Sequence, residues 1–291
     1  MSNFKKILGS QYPVVAMAMN RVSDINLAKA VDAAGGVASL SVFNYDKRGL
    51  AGLDQDLEEF GHGRIIISLG VTELINPKIL DLILKHTVEF IELIPDTTGE
   101  FDTTPQKNVD KKNTLAVLKS KGVKVFVKCI GENDVDTDFA GVILKGSDGA
   151  GRGLFPTKKL FEYIRNKYPT INIIVSGGVG TADDVKYYID KGALAVGIGT
   201  LLAASQESKV STETKLKMIE STSHDLREFN NGAKQKSLIF TETEDDYNHT
   251  YSLAAGVQNP STGHIFAGNA IDHVTDIKPV ADIINALVAK L

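Results

Sequence analysis

Eight short apolar runs, most of them separated by a helical pattern, constrain this chain more than any other feature. They span 14–19, 37–41, 64–70, 88–95, 123–130, 141–146, 172–176 and 194–199. Runs of this kind carry no polar face, so they read as strands buried on both sides, and their alternation with helices is the pattern of a parallel sheet covered by helices. The intervening segments carry helix punctuation. Ser23 reads as the cap of a helix over 24–34 that stops at Gly35-Gly36. A short helix is expected over 54–60, and Asn76-Pro77 reads as an N-cap and N1 pair opening a helix to His86. Gly122 and Gly192 end helices over 114–121 and 181–191, and Pro169 stops one over 157–168. Eight such units favour a closed (β/α)8 TIM barrel over an open doubly wound sheet. Two stretches depart from the alternation. Residues 96–113 are polar and read as a loop, and 131–140 are polar and acidic, leaving space for no more than a turn or two of helix.

After Ala204 the pattern changes. An amphipathic helix is expected over 212–222, followed by a polar segment with an acidic run at 242–246 and with Tyr247 and Tyr251 flanking His249. Residues 205–261 therefore read as a small lobe or lid inserted after strand 8. A closing helix over 276–291, with Ile277, Val280, Ile283, Ile284, Leu287 and Val288 on its apolar positions, returns to the barrel. The barrel proper is then 1–204 plus 262–291, and 291 residues suit one barrel of about 250 residues with an insertion.

Composition narrows the function classes. Hydrophobic residues make up 43% and charged residues 23%, the balance of a globular chain rather than a disordered one. A net charge of −4 offers no electrostatic footprint for nucleic acid or for an acidic membrane. No apolar run approaches the ~20 residues that span a bilayer, and the first ten residues show no apolar leader segment, so the expected compartment is cytoplasmic. A single cysteine, Cys129, excludes an internal disulfide and a multi-cysteine metal site. The acids Glu132, Asp134, Asp136 and Asp138 read as a solvated crossover, so no metal is expected. The expected partner is a small molecule, and a homodimer is compatible with the chain.

Barrel sites lie at the carboxyl ends of the strands. Three of the chain's glycine clusters fall there: Gly146, Gly149, Gly151 and Gly153; Gly177, Gly178 and Gly180; Gly197 and Gly199 followed by Thr200. The last two occupy the barrel's phosphate position after strands 7 and 8, where glycine lets backbone N–H groups approach an anion. Each cluster alone could equally be a tight turn.

With these residues the chain resembles the nitronate monooxygenase (2-nitropropane dioxygenase) family, which includes the FMN-dependent enoyl-ACP reductases. The resemblance rests on Pro13 to Met19 (PVVAMAM) with Ser23 and the helix to Gly35-Gly36, on Gly122 to Cys129 (GVKVFVKC), on Val175-Ser-Gly-Gly178, on Ile198-Gly-Thr200 with Glu207-Ser208, and on Phe266-Ala-Gly268. It covers 12–204 and 263–291 and implies a TIM barrel that binds FMN. By resemblance, Met19 and Asn20 line the flavin and Lys128 reaches it. Gly177, Gly178, Gly199 and Thr200 hold its phosphate, Gly149, Ala150 and Gly151 lie against the ring, and Ala267 and Gly268 pack beside it. Lys145 either touches flavin or substrate or pairs with an acid. The default activity is oxidation of alkyl nitronates with O2, and the sibling activity is enoyl-thioester reduction with NAD(P)H as electron donor.

One position departs from the family pattern. Arg152 stands where the glycine loop of the family ends in a histidine, its catalytic base. Arginine cannot serve as a base, but it can clamp a carboxylate or nitro group, or simply be a salt-bridged loop residue. Of six histidines, His249 between its tyrosines is the best alternative acid or base, with His264 next; His86 reads as a helix cap, and Cys129 as an inert buried thiol. Two other readings stay open: a non-flavin barrel lyase or isomerase using the same phosphate grip, and an FMN-binding protein with reduced catalysis.

Overall fold

The computed structural model describes residues 3–95, 105–230, 234–240, 256–261 and 263–291. Eight parallel strands form one sheet: β1 (Val14–Ala16), β2 (Ala38–Ser41), β3 (Ile65–Gly70), β4 (Phe90–Ile94), β5 (Lys124–Cys129), β6 (Gly141–Lys145), β8 (Ile173–Ser176) and β9 (Ala195–Ile198). They neighbour one another in the order β1-β9-β8-β6-β5-β4-β3-β2. A bridge between Val15 and Val37 joins the two ends, with Val37 N–H donating to Val14 O and Ala16 N–H to Val37 O, both at 2.9 Å. The sheet is thus rolled into a TIM barrel, and helices cover its outside.

The pleat sorts each strand's residues between two cores. Val15, Val37, Ile66, Phe90, Phe126, Ile143, Ile174 and Ala195 form a layer inside the barrel, and Leu8 from the helix Asn3–Leu8 closes it below. Their neighbours in sequence, such as Val14, Ile65, Ile67, Ile91 and Val175, belong to the outer core with residues of the covering helices such as Val31, Leu53, Phe161 and Ile284. This double burial is why the runs lack polar faces.

Helix ends follow local chemistry. Asn76 accepts from Lys78 N–H at 3.0 Å ahead of Pro77–Lys85, and His86 is the C-cap. Asp24, rather than Ser23, caps Ile25–Ala33, accepting from Leu27 N–H at 3.1 Å. Ser23 Oγ instead accepts from Met19 N–H at 2.9 Å and so ties off the end of the first run. Of the stretch expected to be a loop, residues 105–113 are helical and run on into the helix expected from 114, as Pro105–Ser120; residues 96–104 lie outside the described residues. The first half of this helix escapes periodicity analysis because the helix buries little: Val109 and Val117 are exposed while Leu118 is buried, and Pro at the first position with Lys and Gln beyond it are compatible with a solvated helix. The crossover before β6 is a single turn, Glu132–Asp134, whose Asp134 Oδ2 accepts from Ile130 and Gly131 N–H at 2.8 and 3.0 Å.

Beyond the helix Thr212–Glu220 lies an antiparallel hairpin, β10 (Leu226–Asn230) and β11 (Lys234–Ile239). The far edge of β11 pairs with β12 (His264–Ile265) and with β7, the two residues Gly151–Arg152 of the loop after β6. The inserted segment is therefore stitched into the top of the barrel rather than set apart from it.

Truncating the plug by Leu8→Ala should cost about 2–5 kcal/mol, since the site is fully buried and ringed by strand side chains that cannot collapse inward. A lower urea midpoint with an unchanged slope is the expected result.

Candidate active site

Moving up each strand by two residues keeps a side chain on the inner face. Above the apolar layer, the next inward positions are Met17, Ser39, Ser68, Glu92, Lys128, Lys145, Ser176 and Gly197. The barrel interior thus changes from aliphatic to polar within one pleat repeat, at the carboxyl ends of the strands. Glu92 is 1% exposed, and its carboxylate meets Lys128 Nζ at 3.0 Å. Lys145 Nζ turns into the loop that follows β6, donating to Ala150 O and, at 2.9 Å, to Arg152 O. Desolvation, reinforced by Lys128, Arg152 and Lys236 and opposed by Glu92, brings the Lys145 ammonium down to about 7.

These groups open into one cleft of ≈ 1690 Å³. Small-molecule sites are typically ~300–1,000 Å³, so there is space for a second ligand beside a cofactor. Met19 and Asn20 line it from the end of the first run, Lys128 and Lys145 from β5 and β6, and Gly149, Ala150, Gly151 and Arg152 from the glycine loop. Gly177, Gly178, Gly199 and Thr200 line it from the ends of β8 and β9. Ala267 and Gly268 do not line it. Ala267 is fully buried, and Gly268 packs edge-on to the glycine loop, where an added Cβ would fall 2.7–2.8 Å from Asp148 O, Gly149 C and Ala150 N. Gly268 N–H donates to Thr200 Oγ1 at 3.0 Å, so its part is to join the closing segment to the end of β9. His249 lies outside the described residues.

The glycines separate into two kinds. Gly177 and Gly178 have φ of +114° and +74°, and added Cβ atoms would meet Thr157 Oγ1 at 2.8 Å and Asp148 Cβ at 2.7 Å. Backbone conformation and packing already require glycine at both. Gly199 differs: a Cβ there meets nothing closer than Met19 Sδ at 3.5 Å, an ordinary contact. A methyl at Gly199 would therefore make only ordinary contacts, with Met19 and Met17, at the strand end where the fold places phosphate. Gly199, which packing does not itself require to be glycine, the hydroxyl of Thr200 and the partly exposed Lys128 are compatible with a phosphorylated ligand in the cleft.

Several organising residues were not singled out from sequence. Asp148 accepts from Thr157 N–H at 2.8 Å and, through its carbonyl, from Asn269 N–H at 2.8 Å, joining the glycine loop to the next helix and to the closing segment. Asn44 donates to Met19 O at 3.1 Å and Ser23 O at 2.9 Å, and accepts from Arg21 N–H at 2.8 Å. It thereby fixes the loop around Arg21, which sits at φ 62° beside the cleft-lining Met19 and Asn20. Phe266 and Gln235 also line the cleft. Glu92 had a signal, an acid inside the otherwise apolar fourth run; the others depend on contacts distant in sequence.

Two candidate nucleophiles or bases are set aside by their surroundings. The Cys129 thiol is buried, donates to Gly131 O at 3.0 Å and is pushed up to about 12 by burial. His264 is 4% exposed, stacks edge-on to the cleft-lining Phe266 and is brought down to about 4 by burial; it does not itself line the cleft. Among the described residues no group of three or more His, Cys, Asp or Glu could hold a metal, and no helix is long and apolar enough to cross a membrane.

A family model for nitronate monooxygenase matches residues 80–290. The chain belongs to the nitronate monooxygenase family. It is therefore an oxidoreductase of a family of flavin enzymes. No curated protein matches it in sequence. Among solved structures, a mutant of FabK from Thermotoga maritima superposes with a TM-score of 0.82 at 19% identity, covering 100% of this chain and 95% of that one. A nitroalkane oxidase from Streptomyces ansochromogenes gives 0.77 at 17% identity, with 100% and 98% covered. The enoyl reductase domain of MlnA from the macrolactin biosynthesis cluster of Bacillus amyloliquefaciens gives 0.71 at 12%, with 99% and 96% covered. At such identities these likenesses speak for the shared barrel.

Two outcomes test the site. Gly199→Ala should fold with an unchanged melting temperature yet bind FMN at least ten-fold more weakly in a fluorescence titration, whereas Gly178→Ala should lose stability as well. For Lys145 the sign follows from its lowered value: between about pH 7 and the ordinary 10.5 the unfolded chain holds a proton that the folded chain has released. Its contribution therefore makes stability rise with pH across that window, and Lys145→Met should flatten the rise in urea midpoints measured between pH 7 and 9.

Proposed function

We propose that this protein is an FMN-dependent oxidoreductase that oxidises alkyl nitronates with O2. The observation that carries the reading is the convergence, in one cleft at the carboxyl ends of the strands, of Lys128 with Thr200 and with Gly199, where packing alone does not require glycine. The bound flavin would supply the two-electron chemistry. The chain's own residues bind and orient. Gly177, Gly178, Gly199 and Thr200 receive the phosphate, and Met19 and Asn20 form one wall, held by Asn44. Lys128 presents a positive charge suited to a reduced, anionic flavin, while Glu92 fixes its position.

Arg152 takes the substrate in this reading. Its guanidinium offers paired donors to the two oxygens of a nitronate, a charge-assisted contact of the kind worth about 1.5–3 kcal/mol. It orients and neutralises the anion without exchanging a proton.

A second reading, enoyl-thioester reduction with NAD(P)H, is favoured by the cleft's apolar mouth. Phe43, Leu154 and Phe155 are 41%, 63% and 50% exposed there and would suit an acyl chain.

A visible spectrum and an oxygen electrode decide between these. Purified protein should show flavin absorbance, or gain it with added FMN, and consume O2 with ethylnitronate. Arg152→Ala should raise KM for ethylnitronate about ten-fold or more with a smaller change in kcat. Protein that stays colourless after FMN is added overturns the flavin reading; NADPH consumption with an enoyl thioester but none of O2 with nitronate selects the second activity.

A further inference from the structure

The reading of Arg152 as a clamp leaves the site without an assigned group to move a proton. Among the described residues that line the cleft there is no histidine. Its acids are engaged elsewhere: Glu132 bonds with Lys167 and the Tyr163 hydroxyl, and Asp134 accepts backbone N–H groups in the turn before β6. Lys128 is paired to Glu92.

Lys145 is placed differently. It ends β6 on the inner face and lines the cleft, and the loop around it is glycine on either side. A Cβ on Gly151 would meet nothing nearer than Lys145 Nζ at 3.3 Å, so the absent side chain there leaves the amine uncovered on that side, while Gly149 packs against Gly177, whose Cα would lie 2.8 Å from an added Cβ. Two of its bonds go to the carbonyls of Ala150 and Arg152. A neutral amine can make both as donor and still keep a lone pair. The second of these carbonyls belongs to the clamping residue itself, so amine and guanidinium are held on one short segment.

We infer that Lys145 is the catalytic residue that exchanges the substrate's α-proton, acting on neutral carbon acids such as nitroalkanes. The neutral amine takes the proton from the carbon next to the nitro group and becomes an ammonium. The C–H electron pair moves into the nitro group, giving the nitronate whose oxygens Arg152 receives. Nothing is oxidised or reduced in this step. The charged groups facing the amine are Lys128 from β5, Arg152 from β7 and Lys236 from β11, which disfavour its protonation, and Glu92 from β4, which favours it; with burial they bring it to about 7. The inference rests on the proposed nitronate chemistry, but its readout does not need turnover.

The experiment is deuterium wash-in at the α-carbon of nitroethane, followed by proton NMR in D2O without O2, on the flavin-loaded protein. Wild type should accelerate exchange, with a rate that rises through about pH 7 and then levels. Lys145→Met should lose at least 100-fold. Lys145→Arg keeps donors for both carbonyls but no neutral form, so it should retain flavin absorbance and melting temperature and still lose exchange, with neutral nitroethane affected more than ethylnitronate. A wild-type rate in Lys145→Arg, a flat wild-type profile from pH 5.5 to 9, or loss of exchange in His249→Gln with Lys145 intact would each overturn the inference. Failure to bind FMN is read separately, from the spectrum, and bears on the oxidoreductase reading.

Discussion

Lysine at the end of an inward-facing strand register is the constraint around which the top of this barrel is organised. Closure of eight parallel strands turns the inner positions of β5 and β6 toward one another beneath the cleft, so Lys128 and Lys145 must be accommodated side by side. A buried charge without partners costs several kcal/mol, and two adjacent cations cost more. The fold resolves the two separately. Lys128 receives a carboxylate from the neighbouring strand, and Lys145 receives backbone carbonyls from the loop that follows it while its ionisation is disfavoured. One lysine is ion-paired and the other has its ionisation disfavoured, so two like residues on adjacent strands meet different surroundings within one cleft.

The same bonds shape the glycine loop. Lys145 holds its far end from inside, Asp148 ties its middle to Thr157 and Asn269, and β11 pairs with its last two residues from outside. Gly268 must be glycine because the closing segment is pressed against this loop, not because a ligand approaches it. A glycine-rich sequence thus becomes a segment held from three sides, partly by its immediate neighbours Lys145 and Thr157 and partly by β11 and Asn269, which follow it in the chain by 80 residues and more.

That division explains what could be read from sequence. Strand runs, their parallel order and the location of the site all come from local patterning, because burial on both faces erases polar alternation. Lys128, Lys145 and the glycines of β8 and β9 stand out because such residue types are unusual at the ends of apolar runs. The first half of the helix Pro105–Ser120 is hidden by its own exposure, and Ser23 resembles a cap although the capping oxygen belongs to Asp24. Asn44, Gln235 and Phe266 carried no signal, since polar or aromatic residues in connecting segments are common and only the closed barrel brings them to the cleft.

Arg152 shows why a residue type at one position does not settle a mechanism. Its backbone is fixed from both sides, by the Lys145 amine on its carbonyl and by the register with Gln235. A residue so anchored presents its side chain to the cleft from a constant place, whatever its chemistry. Arginine there brings permanent charge and paired donors but no base, so the proton exchange we infer falls to another group within reach. The nearest candidate on the inner face is the amine that already holds the loop. If so, restoring a histidine at 152 alone would add a base without removing the one in use, and the pH dependence of α-proton exchange would show two ionisations rather than one.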